Sequence, residues 1–146
     1  MSEPTSDSLD KDQLEQLHAA TLKASEACLE LKKLCAVVLV PVGTLVASFA
    51  DKRPSGVVFL AGLLVILAFW LADSFSYFYQ RKLRGAMIPI WNRRAARCPD
   101  AYPHTPTSGA VGPLRAAFNA SMAYYLILGA LFGVAAGAYS LGLLER

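Results

Sequence analysis

Three stretches without a charged residue constrain this chain more than anything else in it: residues 34–50, 54–72 and 116–144, which are 17, 19 and 29 residues long. About 20 apolar residues in a helix cross the hydrocarbon core of a bilayer. The second and third stretches meet that length alone. The first is short, and the amphipathic residues ahead of it lengthen its helix at the membrane mouth. With 55% of residues hydrophobic and only 17% charged, the chain falls well short of the roughly one-quarter charge of a soluble domain. The expected fold is all-α: an integral membrane protein of three transmembrane helices with a long N-terminal amphipathic helix.

The basic residues give the orientation. With three spans, two of them lie between the N-terminal segment and the connection before the third span, which puts both of these on one side. Those segments carry Lys11, Lys23, Lys32, Lys33, Arg81, Lys82, Arg84, Arg93, Arg94, Arg97 and Arg115, against Lys52, Arg53 and Arg146 on the other side. Basic residues stay on the cytoplasmic side. The expectation is an inner (plasma) membrane protein, multi-pass, with its N-terminus cytoplasmic and its C-terminus outside. The acidic start (Glu3, Asp7, Asp10, Asp12, Glu15) has no signal-peptide character, so the first span is expected to act as its own anchor. Cys28, Cys35 and Cys98 form no CxxC or Cys/His set, and no cofactor or metal is expected.

Residues 1–8 are polar and expected to be disordered. A cytoplasmic helix is expected over 9–33, starting at Ser8 or Asp10. Along it Leu14, Leu17, Thr21, Ala24, Cys28, Leu31 and Cys35 recur in steps of three and four, a heptad seam that enters the first span. Such a seam packs either on the chain's own second helix or on another copy. Residues 34–91 read as a transmembrane hairpin with an inner helical extension, turned by Asp51, Pro54 and Gly56 and bent or ended at Pro89. Residues 92–115, with four prolines, read as a flexible cytoplasmic loop, and 116–146 as the third transmembrane helix.

Within the spans, Pro41 is a kink or hinge. Gly43 and Ala47 form a small-xxx-small pair, and Gly129, Gly133 and Gly137 recur every four residues, removing side chains from one face so that another backbone can approach. Asp73 stands one residue past the second stretch. With Tyr77, Gln80 and Arg84 it forms a polar stripe at i, i+4, i+7 and i+11, expected either to pair with Arg81 or Arg84 across adjoining chains or to meet water. No phosphate loop, nucleophile–histidine pair or paired carboxylates occur, so an enzyme is not expected. The basic juxtamembrane cluster suits topology or anionic lipid and not nucleic acid.

From Trp70 through Asp73, Tyr77, Gln80 and Arg81 to Arg84 the chain reads W-x2-D-x3-Y-x2-Q-R-x2-R. Behind an amphipathic helix and a tight hairpin, this resembles the small bacterial effectors with a SLATT-type membrane domain, over residues 10–91. The third span and the absence of an attached sensor depart from that pattern. The resemblance implies a membrane-disrupting homo-oligomer in antiphage defence, working beside a separate cytoplasmic sensor protein, with the lipid bilayer as its other partner. The expected function is therefore a non-enzymatic, oligomeric effector of the inner membrane. The alternative is a structural or accessory subunit of a larger membrane complex.

Overall fold

A computed structural model describes residues 5–48, 56–98, 100 and 112–142. All regular structure among them is helical. Helix α1 covers Ser6–Ser48 and α2 covers Gly56–Arg97. A short α3 at Pro113–Ala117 and a single 3-10 turn at Ala120–Met122 lead into α4, Ala123–Ser140. At 1.5 Å per residue α1 and α2 are each about 64 Å long. They form a hairpin with a charged half and an apolar half. Helix α4 lies along the apolar half only, where Phe132 meets Phe59 edge-on and Tyr139 meets it at a tilt, with ring centroids 6.4 and 5.5 Å apart.

Several boundaries differ from the sequence expectations. Helix α1 begins at Ser6, before the expected caps. The Thr5 hydroxyl accepts the Ser8 N–H at 3.3 Å, and Ser8 Oγ donates to the Thr5 carbonyl at 2.8 Å, a side-chain cap of the kind that starts helices. Helix α2 passes through Pro89 to Arg97, so residues 92–97 are helix and not loop. The reason is tertiary: Arg93, Arg94 and Arg97 tie the last turns of α2 to the first turn of α1. The third long helix starts at Ala123 and not at Ala116. Asn119 interrupts the path, its Nδ2 donating to the Ala116 carbonyl at 2.6 Å and its Oδ1 accepting from the Ser121 N–H at 2.7 Å. That helix stops at Ser140, and Gly142 follows at φ 69°, the left-handed cap position that favours glycine. The turn through Asp51 and Pro54, as far as Gly56, and residue 99 and residues 101–111 of the proline-rich connection lie outside the described residues.

The residues of the expected seam lie on the side of α1 that packs along α2. Leu14, Thr21 and Cys35 are buried, and Leu17, Ala24, Cys28 and Leu31 are half-buried. Above Cys28 the inward face widens: Leu31 and Lys32 are both half-buried, Cys35 and Leu39 are buried, and Val38 is exposed. On the facing helix Ile66, Asp73, Gln80 and Ile90 are buried in the same rhythm. Cys35, Leu39, Ile66, Met122 and Tyr125 make the core where α1, α2 and α4 converge.

The close approach between α2 and α4 occurs at a glycine the sequence did not single out. A methyl group at Gly62 would meet the ring of Phe132, with Cζ 2.6 Å away. By contrast a methyl at Gly43, Gly129, Gly133 or Gly137 would meet nothing within 4 Å, so these four glycines do not mediate packing inside the chain. The side chain of Ala47 lies outside the described residues. Two helical stretches are long and apolar enough to cross a membrane: Val58–Arg97, with mean hydropathy 2.2 in its most apolar window, and Ala120–Ser140, with 1.6.

Candidate functional site

The polar chemistry of the apolar half collects at one place, where it joins the charged half. Asp73 of α2 is fully buried and forms an ion pair through Oδ2 with Lys32 Nζ of α1, whose side chain is 18% exposed. The same ammonium donates to the Cys28 carbonyl at 3.4 Å and lies 5.8 Å from the centre of the Tyr125 ring. Tyr124 Oη donates to the Lys32 carbonyl at 3.1 Å. Trp70 Nε1 donates to the Ala117 carbonyl at 3.0 Å, and its ring meets Phe118 edge-on at 5.5 Å. Every helix therefore touches this junction.

Asp73 Oδ1 and Tyr125 Oη are buried without a hydrogen-bond partner. An unpartnered buried polar atom costs roughly 1–3 kcal/mol, so the junction is held at less than its best arrangement. Burial first, and the Asp73 carboxylate second, push the Cys28 thiol up to about 12. At neutral pH Cys28 is a protonated thiol and a poor nucleophile.

The stripe expected from sequence is partly assembled here. Asp73 and Gln80 are buried and Tyr77 is half-buried against α1, but Arg84 is exposed. Arg81 serves Tyr77 instead of Asp73: its Nε donates to the tyrosine Oη at 3.0 Å, and its guanidinium lies 5.3 Å from the ring centre. The partner of Asp73 is Lys32, one of the basic residues from which the orientation is expected. Four residues after Cys28 and three before Cys35, it occupies a seam position, and that spacing was the available signal.

A second ionic cluster closes the far end of the charged half. Arg94 grips Asp7 with two hydrogen bonds of 3.0 Å. Arg93 reaches Asp10 Oδ1 at 2.9 Å, while Arg97 pairs with Asp10 Oδ2 and donates to Ser6 Oγ at 3.0 Å. Hydrogen bonds from Arg93 and then Arg97 hold the Asp10 carboxyl below its ordinary value.

Pro41 is exposed within a continuous α1. Having no N–H, it leaves the Val37 carbonyl without its helical donor. The Thr44 hydroxyl goes elsewhere, to the Val40 and Pro41 carbonyls at 3.2 and 3.0 Å. Compared with known proteins, the chain matches no protein-family model, no curated protein and no solved structure.

Proposed function

We propose that this chain is a non-enzymatic, oligomeric membrane effector. Its three long helices cross a bacterial inner membrane, N-terminus cytoplasmic and C-terminus outside, and on activation by a separate sensor protein they permeabilise or depolarise it. Exposed apolar side chains support the membrane part. Val37, Val40 and Leu45 on α1, Leu60 and Leu64 on α2, and Leu131 and Val134 on α4 are all more than half exposed. Only 22% of the apolar window of α2 and 11% of that of α4 are buried, whereas a soluble core helix is mostly covered. The role in antiphage defence draws on the resemblance of residues 10–91 alone.

The observation that carries an active role is the Lys32–Asp73 pair. It sits at the membrane rim, where α1, α2 and α4 meet. For static packing, two apolar residues of similar size serve as well as a buried ion pair, or better. A charged pair suits a contact that must open, because each partner separated from the other becomes soluble in water. Release of this pair frees α1 to re-pack in the bilayer, and the open face of Gly129, Gly133 and Gly137 on α4, with Gly43 on α1, leaves room for neighbouring copies. The stripe of Gly129, Gly133 and Gly137 favours one second reading, an accessory subunit that presents this face to a helix of another protein.

A potential-sensitive dye separates the two. Expressed with its neighbouring genes and challenged with phage, or overproduced alone, the effector collapses the membrane potential and halts growth. Steady polarisation in both conditions, with the protein present in the membrane, sinks the effector reading and leaves the subunit.

A further inference from the structure

On α2 the exposed large apolar side chains run from Leu60 to Tyr79, and none stands exposed between Arg81 and Arg97. Asp73 lies just inside the end of that run, with Phe75 and Tyr79 exposed past it. Aromatic side chains collect at the boundary of headgroups and acyl chains, so this band marks the level where lipid gives way to water. The chain between α2 and α4 returns to the hairpin at the same level. Trp70 Nε1 holds the Ala117 carbonyl, and Ser74 Oγ donates to Met122 Sδ at 3.8 Å. Those two anchors are four residues apart on α2, about 6 Å of helix rise. Residues 117–122 therefore stay at the height of Asp73, and α3 arrives there with Ala116 fully buried against α2.

What α3 leaves uncovered is apolar and basic together. Leu114 is 77% exposed and Phe118, four residues on, is 67% exposed. Arg115 between them is exposed and has no ion pair or side-chain hydrogen bond among the described residues. No acid occurs from Pro113 to Met122, so a second copy of this surface would set arginine against arginine. We infer that α3 is a foot in the membrane interface and that its occupant is the leaflet on the side of the charged half. Leu114 and Phe118 enter the boundary between headgroups and acyl chains, as the apolar face of an interfacial segment does. Arg115 binds the phosphate of an anionic lipid, to which its planar guanidinium is matched. The break at Asn119 then turns the chain from this foot into α4. The inference rests on the membrane-inserted reading above and adds a lipid contact that an unbroken third span would lack.

Depth-dependent fluorescence quenching tests this. In a full chain with Cys28→Ala, Cys35→Ala and Cys98→Ser, whose fold is checked by circular dichroism, a fluorophore is attached at Leu114→Cys, Leu131→Cys or Gln16→Cys. Leu131 is exposed on α4 and Gln16 in the charged half. Each chain is reconstituted into phosphatidylcholine vesicles containing lipid with a nitroxide near the headgroup or at the chain end. The shallow nitroxide should quench the label at 114 about threefold more than the deep one, as a place at the boundary requires. The label at 131 should show the reverse, and the label at 16 should respond to neither. Nitroxide on phosphatidylglycerol should quench the label at 114 about twofold more than nitroxide on phosphatidylcholine, and Arg115→Gln should remove that preference. If the label at 131 escapes the deep nitroxide, the membrane-inserted reading fails and the inference with it. A deeply quenched label at 131, beside a label at 114 that only aqueous iodide reaches, puts α3 in water and overturns the foot alone. A label at 114 sheltered from both nitroxide and iodide is covered by protein, which overturns it too. A phosphatidylglycerol preference that is absent, or unchanged by Arg115→Gln, overturns the lipid assigned to that residue.

Discussion

Lys32 and Asp73 are unequal partners, and the inequality is measurable. The carboxylate has no exposed surface, whereas the lysine side chain is 18% exposed and has a flexible stem to swing its ammonium to water. Lys32→Met strands a charge that cannot escape, and breaking a buried pair in this way costs roughly 3–5 kcal/mol. Asp73→Asn strands a charge that can escape, so it should cost clearly less, on the order of 1–2 kcal/mol. The double variant, with no charge left, should recover most of the loss. Thermal unfolding in detergent, read as a double-mutant cycle, checks the order. Equal losses from both single variants would show that the pair is not buried as described. The acid was legible in the sequence because it stands alone beside an apolar run. Its partner was harder to read, because a heptad count from Leu14 lands on Leu31, while Lys32, four residues after Cys28 and three before Cys35, is half-buried beside it.

Among the elements, α1 and α2 were the more readable, since a seam and a long apolar run are local patterns. Their ends were less so. Pro89 is a stop signal in local terms, yet three arginines bonded to Asp7 and Asp10 carry the helix past it, a contact between residues more than 80 positions apart. The glycines of α4 illustrate the converse. Spacing marked Gly129, Gly133 and Gly137, but spacing cannot say which face of α4 meets α2, and the face that does carries Phe132. Gly62→Ala should therefore force the Phe132 ring off its contact with Phe59 and loosen α4, at about 1–3 kcal/mol as for other overpacked sites. Gly133→Ile should leave the stability of the single chain unchanged, because a side chain there enters open space, while weakening any contact with another helix. Unfolding of detergent-solubilised monomer distinguishes them. A loss at Gly133 equal to that at Gly62 would place the α2–α4 contact on the glycine face.

For the whole molecule, the path of the chain restricts topology before any count of charges. Helix α1 runs from the charged end of the hairpin to the apolar end, and α2 returns. Helix α4 sets out beside Lys32, where Tyr124 bonds the carbonyl of that residue, and finishes beside Phe59, where Tyr139 meets its ring. The start of α1 and the end of α4 thus lie at opposite ends of the apolar half. If that half fills a bilayer, the two termini face different compartments, and the basic residues choose which. Eleven lysines and arginines lie on the segments joined to the charged half, against three beyond the apolar end. Asp7 and Asp10 neutralise part of that charge, but acids contribute little to orientation, so the bias stands. A reporter active only outside the cytoplasm should give full signal when fused after Arg146 and background when fused after residue 105. An inverted pattern keeps the fold and reverses the sides. Background from both fusions, with the protein in the membrane, would mean that residues 116–144 do not cross the bilayer, leaving two spans in place of three.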